Sequence, residues 1–322
     1  MNAPIPVGLI GLGRHGSRYL RHLVEEETGG KLVAISRQQV DKGHQQAEHY
    51  GIQFFPDYRD LVADPVIQAV LVVAPPSLNI SIALETIKYR KAVLLEKPLA
   101  LNSTEGRQIV EAANQAGVPL MTGHTLRYEP VIQKFHEVGT TLGPWQALKG
   151  TMHLETRPQV DIVQGTGHGV LLEFGIHLLD WARVVLQDEK LTVSANMTRP
   201  SPYAPERRAE ITLTTPSGLS CHLDIARVSQ GRITHVEVMG TTGRVQADWT
   251  NGLVQIFKQE TPTSQDVLPA IPTIVTMLKD FFHALRTGKP VPITGEDGLR
   301  AVELADACYQ AEKSQQPISL SS

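Results

Sequence analysis

Gly11-Leu12-Gly13-Arg14-His15-Gly16 stands directly after an apolar run, Val7 to Ile10, and directly before a stretch of helical periodicity, Ser17 to Glu26. A Gly-x-Gly-x-x-Gly turn in that position narrows the choice of fold more than any other feature of the chain. The first glycine permits a tight turn, the second lets the backbone approach a pyrophosphate, and the third lets the helix pack closely on the strand. The helix N-terminus adds N–H donors and the positive end of its dipole. A plain glycine-rich turn is the bland alternative, and the flanking strand and helix decide against it. These residues predict a dinucleotide-binding unit, with Gly11, Gly13, Arg14, His15 and Gly16 lining the phosphates.

The chain continues as such a unit requires. Leu32 to Ile35, Ala69 to Val73 and Ala92 to Leu95 carry almost no polar alternation, as expected of strands covered on both faces. Between them Asp41 to Tyr50, Asn79 to Tyr89 and Ser103 to Ala116 place aliphatic residues three or four apart, and Asn102 with Glu105 forms a capping-box pattern for the last. Strand alternating with helix predicts an α/β fold with a doubly wound parallel sheet of the Rossmann type. Pro119 to Gly123 supplies its last strand, which closes the domain near residue 125.

A helical stretch, Val170 to Leu186, precedes alternating runs at Arg208 to Thr214, Leu219 to Arg227, Ile233 to Met239 and Arg244 to Trp249. These predict antiparallel strands. Ile211, Leu213, Leu219, Cys221, Leu223 and Ile225 fall on one side, with Thr212, Thr214, Ser220, His222 and Asp224 on the other, so one face is covered. At roughly 150 residues per domain, 322 residues suit two domains. The division reads as 1–125 for the nucleotide and 126–322 for substrate and self-association, with C-terminal helices free to pack back on the first domain.

Thirty Lys and Arg against 33 Asp and Glu leave a net charge of -3, which excludes the basic footprint of a nucleic-acid or membrane-surface binder. No apolar run reaches the ~20 residues of a membrane span, and the N-terminus lacks the basic region of an export signal. Cys221 and Cys308 show no CxxC spacing and no HExxH occurs, so neither a disulfide framework nor a catalytic metal is expected. A cytoplasmic protein is the expectation.

The end of the second strand discriminates between dinucleotides, because sites for NAD usually place an acid there for the ribose hydroxyls. Here the residues are Ser36 and Arg37, with Lys42 opening the next helix. A hydroxyl, a guanidinium fork and a second cation suit a phosphate monoester, so NADP is expected over NAD.

Glu96-Lys97-Pro98 after the fifth strand, Gly169 through Glu173 to His177, Gly123-His-Thr-Leu-Arg127-Tyr128-Glu-Pro130, and Thr287 through Gly298 complete a recognisable set. With the glycine motif they make the chain resemble the Gfo/Idh/MocA family of oxidoreductases nearly end to end. That resemblance implies a C-terminal α/β domain with a large, mainly antiparallel open sheet. It also implies oxidation or reduction of carbinol or carbonyl groups on sugars, cyclic polyols and related molecules. By the same likeness Lys97 takes the substrate-hydroxyl lysine's place, His177 that of the proton-transfer histidine, and Ser36, Arg37 and Lys42 the place of the NADP phosphate site. Ala74, Pro75, Asn79 and Glu96 join the cofactor-binding residues. Three positions depart from the family pattern: Glu173 replaces the usual Asp, Asn79 a common His, and Ala74 a common Thr.

The residue chemistry agrees. Lys97 follows the carboxyl end of a strand, where doubly wound sheets bind ligands, and an ammonium there stabilises charge on a substrate oxygen. An imidazole such as His177 exchanges a proton near neutral pH. Glu173, four residues earlier, is expected on the same helix face to orient His177 or bind a substrate hydroxyl. The catalytic set is thus Lys97, His177 and Glu173, with Arg127 and Tyr128 added for substrate, and Lys97 and His177 are expected to face one another across the nicotinamide. A reductase of non-sugar conjugated or carbonyl compounds and a non-enzymatic NADP-sensing regulator are the alternatives. The partners expected are a small-molecule substrate and further copies of the chain, in a homodimer or larger assembly.

Overall fold

The computed structural model describes residues 3–156, 167–187, 190–258 and 260–320. Two compact units divide the chain, one formed by Met1–His124 with Pro272–Val302 and the other by Thr125–Ile271 with Glu303–Ser322. The nucleotide-binding portion is therefore discontinuous, and the helices expected to return to it begin at Pro272.

In the first unit six parallel strands, β1 (Ile5–Ile10), β2 (Gly30–Ser36), β3 (Gln53–Phe55), β4 (Ala69–Val72), β5 (Ala92–Glu96) and β6 (Leu120–Gly123), lie in the order β3-β2-β1-β4-β5-β6. Every residue of β4, β5 and β6 is buried, which accounts for their lack of alternation. The crossovers carry α1 (Gly16–Glu25), α2 (Val40–Tyr50), α3 (Tyr58–Ala63), α4 (Asn79–Lys88) and α5 (Ser103–Ala116). At the start of α5 the Asn102 side chain accepts from the Glu105 N–H at 2.9 Å, the cap expected from the sequence. The strand order reverses between β1 and β4, and ligands of such sheets bind beyond the carboxyl ends at that point.

The returning segment closes the other end of this sheet. The ring of Phe282 on α6 (Thr273–Thr287) lies so close to Gly30 that a Cβ there would stand 2.3 Å from it. Phe281 and Phe282 are both fully buried. Farther along, the Ile293 carbonyl accepts from the Thr122 N–H at 3.0 Å, and Thr294 bridges to Met121.

The second unit is built on a nine-stranded sheet. Its central strands are β7 (Trp145–Glu155), β8 (Arg208–Thr214), β9 (Ser220–Val228) and β10 (Ile233–Gly240). β7 pairs parallel with β9, and the other pairings are antiparallel. The register sets Cys221 opposite Leu213 and Leu223 opposite Ile211, so the apolar alternation shares one buried face. On the opposite face Thr212 Oγ1 meets His222 Nδ1 at 3.1 Å, and Asp224 accepts from His153 and Arg208, each at 2.9 Å.

The stretch 170–186 differs from a uniform helix. Leu171–Gly175 forms a π turn, and only then does α7 (Ile176–Leu186) begin. A π turn bonds i to i+5, so the segment carrying Glu173 is wound more widely than the α-helix that carries His177.

Candidate active site

Three steric facts define the glycine-rich loop. A Cβ on Gly11, whose φ is +90°, would stand 2.4 Å from the Val73 carbonyl oxygen, and one on Gly16 would stand 1.8 Å from the carbonyl oxygen of Gly11. Neither position accepts a side chain without moving backbone. Gly13 is the opposite case, since a Cβ there would meet nothing within 4 Å. That open space lies at the start of α1, where the backbone must come close to a pyrophosphate, so the loop fits a dinucleotide. Arg14 and His15 are exposed beside it, and the Gly11 N–H donates to the Ser36 carbonyl at 3.0 Å, joining the loop to the end of β2.

At that end Ser36 is buried and Arg37 half-buried. The Arg37 guanidinium donates from Nη1 to Gln46 Oε1 at 2.6 Å and from Nη2 to Gln39 Oε1 at 2.8 Å. Both acceptors are neutral amides, so the cation is held in place without being neutralised. Lys42 is exposed on the first turns of α2.

After β4, Ala74 is half-buried and Pro75 exposed, and the chain turns into α4 at the buried Asn79. Its Nδ2 donates to the Pro98 carbonyl at 2.9 Å, while its Oδ1 is buried without a hydrogen-bond partner. Glu96, the last residue of β5, accepts from His15 Nε2 at 2.8 Å and from the Tyr19 hydroxyl, and its other oxygen accepts from the Lys97 N–H at 3.0 Å. Burial alone would push this carboxyl up. The hydrogen bond and charge of His15, the Lys97 ammonium and the Tyr19 hydroxyl outweigh burial and hold it below its ordinary value. Burial, together with the charge and hydrogen bond of Glu96, pushes the Tyr19 phenol well above its own. The glycine loop, Arg37, Ala74, Asn79, Glu96 and Lys97 thus gather at the carboxyl edge of one sheet.

The remaining site residues belong to the second unit. His177 is half-buried near the start of α7. Arg227 donates from Nη2 to Glu173 Oε1 and from Nη1 to the Glu155 carbonyl at 3.1 Å, with its guanidinium carbon 4.8 Å from the centre of the Phe174 ring. Arg127 makes a two-pronged pair with the buried Asp180, from Nε at 2.7 Å and Nη2 at 2.6 Å, and Tyr128 is buried beside it in sequence. The carboxylate of Glu206 accepts from the N–H groups of Gly169 and Leu171 at 3.0 and 3.1 Å and from the Tyr309 hydroxyl at 2.9 Å, which anchors the turn that carries Glu173.

Tyr19, Asp180, Glu206 and Arg227 are the participants that sequence reasoning missed. Each is remote in sequence from its partner, and no spacing motif marks it. Tyr19 had one available signal, its place one helical turn after Gly16.

The profile of the oxidoreductase family, NAD-binding Rossmann fold, matches residues 5–124, and that of the oxidoreductase family, C-terminal alpha/beta domain, matches residues 156–320. The chain is 28% identical over 339 residues to the uncharacterized oxidoreductase YrbE of Bacillus subtilis, covering 99% of this chain and 98% of that one. It is 27% identical over 323 residues to the myo-inositol 2-dehydrogenase of Thermotoga maritima, covering 96% and 95%. Among solved structures, the aldose-aldose oxidoreductase of Caulobacter crescentus, crystallised with glycerol, superposes with a TM-score of 0.88 at 21% identity, over 98% of this chain and 100% of that one.

Proposed function

Since the chain belongs to the Gfo/Idh/MocA family of oxidoreductases, we propose that it transfers hydride between a nicotinamide dinucleotide and a carbinol or carbonyl carbon of a sugar, cyclic polyol or related small molecule. The inositol and aldose substrates in the names of its relatives support that class. One observation carries the reading: Lys97 stands at the same strand edge as the glycine-rich loop, with its backbone held by Glu96 and Pro98 held by Asn79.

When bound, the nicotinamide supplies the two-electron step. Lys97 directs its ammonium at the substrate oxygen and stabilises the charge that develops there. His177 takes the proton from that oxygen in oxidation and returns it in reduction. Glu173 is engaged by Arg227, which fixes its carboxylate. Arg127 and Tyr128, fixed by Asp180 and by burial, shape the substrate's surroundings.

The dinucleotide of choice in this reading is NADP. Arg37, held by two neutral amides, keeps its charge for a phosphate monoester, with Lys42 on the next helix. The chain works in the cytoplasm, in keeping with two free, buried cysteines. It assembles as a homodimer or larger through the outer face of the nine-stranded sheet. Light scattering at micromolar concentration tests the assembly, and a mass of one chain would discard it.

Turnover on a panel of polyols and aldoses with both dinucleotides tests the activity. Lys97→Met is expected to lower kcat by about a hundredfold or more while dinucleotide affinity stays nearly intact, because the lost interaction belongs to the transition state. His177→Ala is expected to lower kcat similarly and to flatten its pH profile. Near-normal rates in both variants would refute the assignment, and dinucleotide binding without turnover on any substrate would favour the regulator.

A further inference from the structure

Glu96 receives hydrogen bonds from three separate places: His15 inside the glycine-rich loop, Tyr19 on the helix that follows it, and the backbone N–H of Lys97. A carboxylate offers about four acceptor directions, and protein donors occupy three of these. The side chain is 9% exposed. A carboxylate committed in this way is poorly placed to serve as a ligand contact, and well placed to transmit position. From the other side Asn79 holds the Pro98 carbonyl, so the segment bearing Lys97 is fixed at two successive residues.

We propose that Glu96 is a positioning residue, a buried carboxylate that clamps the Lys97 backbone to the glycine-rich loop, so that seating a dinucleotide on the loop also sets the Lys97 ammonium. The proposal rests on the catalytic reading of Lys97 given above. His15 lies between Gly13 and Gly16, so a phosphate drawn to the start of α1 orders the residue that grips Glu96 Oε1, and Glu96 Oε2 orders Lys97. The burial of the carboxylate matters here. With the charge of His15 and Lys97 near it and little water to compete, the clamp stays ionised and short-ranged.

Tyr19→Phe is the decisive variant. Its ring is fully buried and cannot touch a ligand, and the substitution removes only the hydroxyl that reaches Glu96. NADPH and NADH are titrated by fluorescence, kcat is measured at saturating dinucleotide, and melting is followed in parallel. A displacement of about 1 Å at a reacting group costs up to ~100-fold in rate, so a partial release of the clamp is expected to lower kcat about tenfold. Dinucleotide affinity is expected to fall several-fold, well below the melting temperature. Glu96→Gln is expected to change both quantities in the same direction and further. Adding Tyr19→Phe to Glu96→Gln is expected to change affinity by no more than about twofold, because the two act as one unit.

Unchanged affinity and kcat in a Tyr19→Phe protein that merely melts earlier would overturn the proposal. So would weakened binding in Glu96→Gln alongside a normal Tyr19→Phe, which would make Glu96 a ligand contact. If Glu96→Gln does not fold, Tyr19→Phe decides alone. A normal rate in Lys97→Met together with weakened binding in Tyr19→Phe would retire the catalytic reading and uphold the clamp on the loop.

Discussion

In the proposed reading, Arg37 is prepared for its ligand before that ligand arrives. Gln39 and Gln46 take two of its donors without cancelling its charge, so little side-chain freedom remains to be lost when a phosphate binds. Arg37→Ala is expected to weaken NADP binding by about 1–3 kcal/mol, the worth of a charge-assisted hydrogen bond, and to leave NAD nearly unaffected. Calorimetric titration of both dinucleotides checks it, and equal losses for the two would remove Arg37 from the phosphate site. The residue types at this strand end were legible because an absent acid and a present cation are local facts. The bonds of Glu96 were not. A glutamate at the end of a buried strand reads the same whether it faces a ligand or the protein, and only the fold brings His15 and Tyr19 to it.

Among the elements, the glycine-rich turn separates two uses of one amino acid. Gly16 is required by the protein itself, because a Cβ would be driven into the Gly11 carbonyl, whereas Gly13 faces open space. Gly16→Ala is therefore expected to cost about 2–4 kcal/mol of stability through forced backbone movement. Gly13→Ala is expected to leave stability within about 0.5 kcal/mol and still weaken dinucleotide binding about tenfold or more, since the added methyl enters the space of the pyrophosphate. Denaturant melts and fluorescence titrations on the pair test the contrast, and equal melting of the two variants would contradict it. The helix at 170–186 shows the limit of periodicity as a guide. Its apolar residues were visible as helical, but a π turn changes the spacing by only one residue over a single turn. Its anchors, Glu206 and Arg227, come from other segments.

On the scale of the whole molecule, the alternation of strand and helix foretold the parallel sheet, and the period of two foretold the face of the second sheet. Which unit residues 272–302 complete was not legible in detail, because an amphipathic helix does not state which sheet it will cover. Residues 1–124 alone are expected to be incompletely folded, with the surface that Phe282 covers at Gly30 exposed. Binding of a hydrophobic dye and a weak near-ultraviolet circular dichroism signal would show this, and joining residues 272–302 by a short linker should restore a cooperative melt. A fragment 1–124 that already unfolds cooperatively would refute the claim.

The same discontinuity separates the order of synthesis from the order of folding. Domains usually fold as they leave the ribosome, first the N-terminal one, at about 5–20 residues made per second. Here the segment carrying the glycine-rich loop emerges first, yet its last helices are translated only after Ile271. For on the order of ten seconds, at that rate, the nascent sheet waits with an apolar edge uncovered. That segment is therefore expected to lean on a chaperone until residues 272–302 have been made.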